Sequence, residues 1–314
     1  MRAVLAFFAV MLFGATSISV SQAQILRDDF AGTRFATGNW YPCFRDENVL
    51  SIVPVPGNGF NAAMLLVNPR DDMGSMALRP SRDGRPQQVG THCHRDKNVE
   101  RAELWEASSN QLRFGTEVWY RFSMYIDPTI PRTDHNRLVI GEWKEDGGHS
   151  PMVAQRFVDR HFTITIEQDN DNPARSEGAH DCRILVAHDE SFVTSVRDPL
   201  PLASAGHDGR AAVKGGAMAS TGCARDINVR SFQNLPNVFG TWTTMMYHLK
   251  ASTDGNGILE VWANGVPIVR VTGRIGFRDH SAGRQYFKFG PYRDHVPYST
   301  YAMLAKFARG PTRA

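Results

Sequence analysis

After residue 23, no stretch of this 314-residue chain approaches the ~20 apolar residues that a membrane-spanning helix needs. No long segment holds a 3.6-residue apolar period, so a helical bundle is excluded. Heptads and internal repeats are missing as well, which rules out a coiled coil or a solenoid. Charge of one sign is scarce: 35 Lys and Arg stand against 32 Asp and Glu, for a net charge of +3. A nucleic-acid binder concentrates Lys and Arg far more strongly. The mildly basic balance is compatible with an acidic polymer but does not demand one. Cysteine is limited to four, with no Cys-x-x-Cys and no His-x-x-x-His half. A zinc site built on Cys93 with His92 or His94 would therefore lack half of its ligands.

What the first residues do contain is an address. Arg2 is a short basic region, Ala3 to Ala15 an apolar stretch, and Ser21-Gln22-Ala23 a small-x-small cleavage site. These predict a signal peptide cut after Ala23, the alternative being an uncleaved membrane anchor. The expected location is secreted or periplasmic, with no membrane association after cleavage. In that oxidising setting an even number of cysteines predicts disulfides. Four cysteines allow three pairings, and neighbourhood alone favours Cys43–Cys93 and Cys182–Cys223. The remaining residues, 24 to 314, are enough for one large domain with a good core.

Strand-like patterns dominate that domain. Val118 to Asp127 alternates, with Tyr120, Phe122, Met124 and Ile126 on one face, and Phe162 to Ile166 repeats the pattern. Trp242 to Lys250 is another such run. Ile258 to Ala263 and Val266 to Val271 flank Asn264-Gly265, a strong hairpin turn signal. Many strands, frequent turn residues and no βαβ alternation predict an antiparallel sandwich or jelly roll. Residues 168 to 236 are rich in Asp, Asn, Gly, Ala, Pro and Ser and predict a loop-rich insertion beside a groove. Within it, Glu167 to Asn172 offers oxygen ligands to Ca²⁺ but lacks the Gly and closing Glu of an EF-hand loop. A solvated turn is the simpler reading, and no cofactor is expected.

Three segments carry chemistry on one face. In Arg101-Ala102-Glu103-Leu104, the two charged residues oppose the two apolar ones. In Gly141-Glu142-Trp143-Lys144, Glu142 and Lys144 share a face and Trp143 takes the other. In Gln285 to Arg293, Phe287, Phe289 and Pro291 alternate with Tyr286, Lys288, Gly290 and Tyr292. Phenols can give or take a proton and Lys attracts anions, while Gly290 leaves room for something close by. Lys288 to Tyr292 spans roughly 13 Å, which suits a groove for a chain-like substrate.

Taken in order with Trp119 to Tyr125 and Gly257 to Gly265, these segments resemble the jelly-roll polysaccharide lyases. The chain is most similar to the heparin lyase I-like and glucuronan lyase-like enzymes, and more distantly to the jelly-roll alginate lyases. The resemblance runs from about residue 100 to 295. It implies a concanavalin A-like β-jelly-roll sandwich of two antiparallel sheets that cleaves a uronic-acid-containing polysaccharide by β-elimination. By position, Tyr292 matches the catalytic tyrosine and Arg101 the arginine that meets the uronate carboxylate. Tyr286 and Lys288 match groove residues. The family's Gln-x-His is replaced here by Glu142-Trp143-Lys144. A carboxylate at 142 would repel a uronate unless it is protonated or paired with Lys144 or Arg101. Lys144, a candidate base, would need a pKa well below its reference of ~10.4 to act near neutrality.

In such an elimination, neutralising the carboxylate stabilises the charge that develops as the C5 proton leaves. Arg101 supplies that charge. Tyr292 is the expected acid and, if ionised beside Lys288 or Arg293, an alternative base; His94 and His92 are others. The expected catalytic set is therefore Tyr292, Lys144 and Arg101. Tyr286, Lys288, Glu142, Arg293 and His94 are expected to bind substrate, with no metal and the protein a monomer. Two rivals share the fold. A glycoside hydrolase would need paired carboxylates, and Glu142 and Glu145 fall on opposite faces. A non-catalytic sugar-binding module would use Trp and Tyr for stacking. Peptide mapping without reduction should recover Cys43 linked to Cys93 and Cys182 linked to Cys223; free thiols or crossed pairs would refute that assignment.

Overall fold

The computed structural model describes residues 25–44, 50–69, 99–131, 136–145, 150–169, 181–189, 210–212, 218–220, 226–278 and 283–313. The expected signal peptide, His92, Cys93, His94, Cys223 and positions 170–172 of the Ca²⁺ candidate lie outside the described residues.

The chain is built of strands: β1 (Leu26–Asp28), β2 (Trp40–Phe44), β3 (Leu50–Val55), β4 (Phe60–Val67), β5 (Val99–Glu106), β6 (Leu112–Arg113) and β7 (Val118–Ile126). Then come β8 (Leu138–Glu145), β9 (Val153–Val158), β10 (His161–Asp169), β11 (Asp181–His188), β12 (Arg210–Ala212) and β13 (Met218–Ser220). The last are β14 (Asn228–Ser231), β15 (Thr243–Lys250), β16 (Ser252–Ala263), β17 (Val266–Ile275), β18 (Arg284–Asp294) and β19 (Thr300–Gly310). Among the described residues they form two antiparallel sheets. One runs β14-β17-β16-β15-β7-β19-β4-β3, with β1 on β19. The other runs β12-β13-β11-β10-β9-β8-β18-β5-β2, with β6 on β18. This is the β-jelly-roll sandwich that the alternating sequence predicted. None of the described helices is long and apolar enough to cross a membrane.

The sheets close on an aromatic core. Trp143, Phe287 and Phe289 from one sheet meet Tyr120, Phe122, Tyr247 and Phe307 from the other, all buried. Trp143 lies 4.2 Å from the Tyr247 ring and 4.9 Å from Phe287, and Phe122 lies 5.2 Å from Phe287. Each such side chain stabilises the fold by about 1.5–3 kcal/mol relative to exposure. Two polar pairs bridge the sheets through the core. Gln155 Nε2 donates to the Tyr247 hydroxyl at 2.6 Å, and Arg309 on β19 pairs with Glu106 on β5 at 2.9 Å. Both members of that pair are buried, so removing either would strand the other's charge.

Part of the stretch expected to be a loop-rich insertion is instead woven into the sheet. Asp181 to His188 forms β11, and Cys182, Ile184 and Val186 face the core. Its period-two alternation is short and flanked by turn residues, which is why composition masked it. Cys43 and Cys182 both stand in disulfides. Glu167, assigned to the Ca²⁺ turn, lies within β10, pairs in register with Arg183 on β11 and is held by arginines.

Gly290 differs from expectation in a more consequential way. The room beside it is taken by protein. Its φ of +133° suits glycine, and a Cβ there would run into the carbonyl oxygen of Ala102 on β5. The β18–β8 register slips by one residue at this point, between Phe289 and Tyr292. Such a bulge turns the strand and re-aims the side chains that follow. Replacing Gly290 by Ala should cost about 3 kcal/mol through backbone strain and overpacking. Denaturant unfolding tests this, and an unchanged midpoint would refute the close approach.

Candidate active site

β18 sits between β5 and β8, and its outward face carries the expected residues. Lys288 lies opposite Trp105 on β5 and Glu142 on β8. Tyr292 lies opposite Arg101 and Val139, and Tyr286 lies opposite Lys144. Because Phe287, Phe289, Ala102, Leu104 and Trp143 are committed to the core, alternation turns Arg101, Glu103, Glu142, Lys144, Tyr286, Lys288 and Tyr292 to the other side. The three segments singled out in the sequence therefore converge on one surface.

Two arginines enclose the Tyr292 ring. The Arg101 guanidinium lies 4.7 Å from the ring centroid and that of Arg137 lies 4.9 Å from it. Arg137 is fixed in turn by Asp294 at 2.8 Å. Lys288 Nζ stands 3.8 Å from the Trp105 ring centroid and 3.6 Å from Glu142 Oε2. Trp105 packs with Tyr41 and Tyr286 in a small aromatic cluster that includes Cys43. Cys43, which stands in a disulfide, lies opposite Glu103 in the strand register. Aromatic surface next to fixed cations is what a sugar ring bearing a carboxylate requires.

Glu103 and Glu142 flank β18 and are driven apart in acidity. Burial pushes the Glu103 carboxyl up, and the neighbouring charge of Glu142 adds to that, against Lys288 and Arg101. Its Oε2 accepts a hydrogen bond from Trp105 Nε1 at 3.2 Å and stands 3.7 Å from Arg101. Burial would raise Glu142 as well. Lys288, Lys144, Arg156 and Arg101 together overcome it and hold Glu142 below the usual carboxylate range. One carboxylate is therefore ionised and paired, and the second is displaced toward its neutral form. Burial draws the Lys144 ammonium down to about 8, helped by Lys288 and opposed by Glu142, Glu103 and Glu167. A lysine near 8 has a substantial neutral fraction at mildly alkaline pH, as a proton acceptor needs.

Two expected site residues are not in this cluster. Arg293 points the other way. It is buried between the sheets, bonded to Glu100 at 2.8 Å and to the Thr300 hydroxyl at 2.6 Å. It follows Tyr292 directly in the strand, so it must face the opposite side. His94 lies outside the described residues. Lys144 and Tyr292 share the surface without being neighbours. Their positions on β18 are six residues apart, roughly 20 Å along the strand, and only their side chains narrow the gap.

Residues missed in the sequence also gather here. Arg137 precedes a strand and left no periodic signal. Arg156 and Glu167 sat on alternating runs and could have been read with them. Among the described residues no group of three or more His, Cys, Asp or Glu is placed to hold a metal. A separate depression of about 970 Å³ lies between the β9–β10 and β16–β17 turns, lined by Arg160, His161, Asp189, Asn237 and Asn264 among others, and contains none of the residues above.

A polysaccharide lyase family profile matches residues 70–310, about three quarters of the sequence. The chain belongs to the polysaccharide lyase family. Among solved structures, the lyase is similar to an endo-β-1,4-glucuronan lyase from Trichoderma reesei. The two are 11% identical, the match covers 93% of this chain and 96% of the other, and the TM-score is 0.50. An alginate lyase from Klebsiella pneumoniae is also 11% identical, with 86% of each chain covered and a TM-score of 0.43. At such identities the likeness is one of fold. No curated protein matches the sequence significantly.

Glu142→Gln and Glu103→Gln should separate the two carboxylates. Glu142 is held low, so its stabilising effect is present above the unfolded-state value and lost as pH falls through the folded one. Glu142→Gln should cost about 3 kcal/mol at neutral pH by stranding Lys288, and the deficit should vanish in acid. Glu103 is raised, so the wild type loses stability as pH rises through it, and Glu103→Gln should gain on the wild type as pH rises. Unfolding curves across pH read both; equal costs would contradict the assignment.

Proposed function

We propose that this lyase cleaves a uronic-acid-containing polysaccharide by β-elimination, as a secreted or periplasmic enzyme. The observation that carries the reading is the crowding of Arg101, Lys144 and Lys288 around the phenols of β18 in a member of the lyase family. A hydrolase or a purely sugar-binding module would not need that concentration of cations.

In this mechanism Arg101 and Lys288 neutralise the uronate carboxylate. Glu142 does not repel it, because Lys288 and the surrounding cations already balance its charge. Neutral Lys144 takes the C5 proton. The electrons left on C5 form the C4–C5 double bond as the C4–O bond breaks. Tyr286, the phenol directly opposite Lys144 in the strand register, gives its proton to the departing glycosidic oxygen, and the Lys144 and Lys288 ammoniums on the same face stabilise the phenolate left behind. The side chains supply charge, base and acid, and no cofactor is invoked. Tyr292, roughly 20 Å along β18 from Lys144, does not reach the same bond; held between Arg101 and Arg137, it is the alternative, serving as both base and acid.

The test is ultraviolet absorbance of the new C=C bond when the enzyme meets a panel of uronate polymers, with a 1,4-linked polyglucuronate first. Turnover should rise with pH through about 8 as Lys144 loses its proton. Lys144→Met should abolish both activity and that rise. Tyr286→Phe should lower turnover by at least ~10²-fold with binding nearly intact, whereas that loss in Tyr292→Phe, with Lys144→Met still active, would move both base and acid to Tyr292. Reducing ends without absorbance would indicate hydrolysis, and binding with neither would indicate the module.

A further inference from the structure

Beyond β8, the same sheet face carries a second cluster of charge, which acts on the proposed elimination only at a distance, through Glu142 and Lys144. Glu167 on β10 is fully buried, and its Oε1 accepts from Arg156 Nη2 at 2.7 Å and from Arg183 Nε at 2.6 Å. The Ser150 hydroxyl donates to the same oxygen at 3.0 Å. Arg156 Nε is bound to the Thr165 hydroxyl at 3.0 Å. One carboxylate thus holds two guanidiniums and leaves a surplus of one positive charge. Burial and the neighbouring Arg183 lower Arg156 to about 10, so it remains a cation at neutral pH.

The arrangement resembles a prepared anion site more than a structural ion pair. Glu167 Oε2 is buried without a hydrogen-bond partner, so the carboxylate is used at one oxygen only, as an anchor that aims both forks. Arg183 is the more exposed arginine, at 21% against 11% for Arg156. Among the described residues no partner takes the Nη1 donors of either arginine. A guanidinium held by its Nε side presents its outer edge, the geometry that grips a planar carboxylate. The cluster is four strand spacings from β18 at its far side, roughly 19 Å, along the direction that crosses the strands. Lys144 and Glu142 lie between, so positive charge continues across the sheet from Arg101 to Arg183.

We infer that Arg183 and Arg156, aimed by Glu167, form a remote subsite that binds a second carboxylate of the same polysaccharide chain, several sugars from the bond that is cut. This rests on the uronate reading above and narrows it. The substrate class is a polymer whose carboxylates recur along its length, and short oligomers with a single acidic sugar bind without this contact.

Calorimetry of polyglucuronate oligomers of graded length, against the wild type and Arg183→Gln, tests the inference, with near-ultraviolet circular dichroism confirming the fold of each variant. Wild-type affinity should step up about tenfold or more once the oligomer spans from β18 to β11, as a charge-assisted bidentate contact is gained. The step should be absent in Arg183→Gln. Arg183→Lys, which keeps the charge on Glu167 but not the fork, should recover part of it and gives a second reading if the Gln variant does not fold. A step that survives in both variants, or a loss equal for the shortest and longest oligomers, would overturn the subsite. Oligomers that bind with the step but are never cleaved would remove the lyase mechanism and leave the subsite standing. Cleavage with no step would do the reverse.

Discussion

Hydrogen bonding of β18 along both of its edges, to β5 and to β8, is the constraint on which the rest of the molecule depends. Paired on both sides, the strand cannot slide, since a one-residue slip would turn Phe287 and Phe289 out of the core and Lys288 into it. The bulge at Gly290 adds the local turn, and the close Ala102 carbonyl allows no side chain there. With that register set, Arg101 must face Tyr292 and Glu142 must face Lys288. The geometry of the site follows from strand pairing more than from any attraction among its side chains.

Those side chains would not assemble unaided. Lys144, Lys288, Arg101 and Arg156 are like charges crowded where water is scarce, and the cost appears as the lowered basicity of Lys144 and Arg156. Glu142, Glu103 and Glu167 offset part of it. The aromatic core and the sheet hydrogen bonds hold the backbone while this tension persists, which is the usual bargain between a stable scaffold and a reactive surface. Glu142-Trp143-Lys144, standing where the resemblance implies Gln-x-His, fits the same logic. A carboxylate beside a lysine partly restores charge balance, and the crowding that lowers Lys144 brings it toward the range in which histidine works.

Much of this was legible as period-two alternation. Arg101 with Glu103, Glu142 with Lys144, and Tyr286 with Lys288 and Tyr292 could each be assigned to a polar face because their neighbours are Leu104, Trp143 and Phe287. Arg293 was misplaced although the same rule places it. A residue next to Tyr292 must face the core, and its Glu100 partner makes that tolerable. Gly290 was taken as room for a ligand because a glycine in sequence does not reveal what approaches it. β11 was hidden in a stretch whose average composition resembles a loop, although Cys182, Ile184 and Val186 alternate within it.

By itself the sequence determined the class of fold and the polar and apolar faces of β5, β8 and most of β18, because side-chain alternation is a local property of an extended backbone; the order of its motifs carried the resemblance to the family. Only the tertiary structure decided which strands lie side by side. That choice set Arg137 against Tyr292, brought Arg156 and Arg183 onto Glu167, separated Lys144 from Tyr292 by six residues of β18, and gave Glu103 and Glu142 opposite displacements in acidity. Pairing order, register and burial are products of long-range contacts, and no window of neighbouring residues contains them.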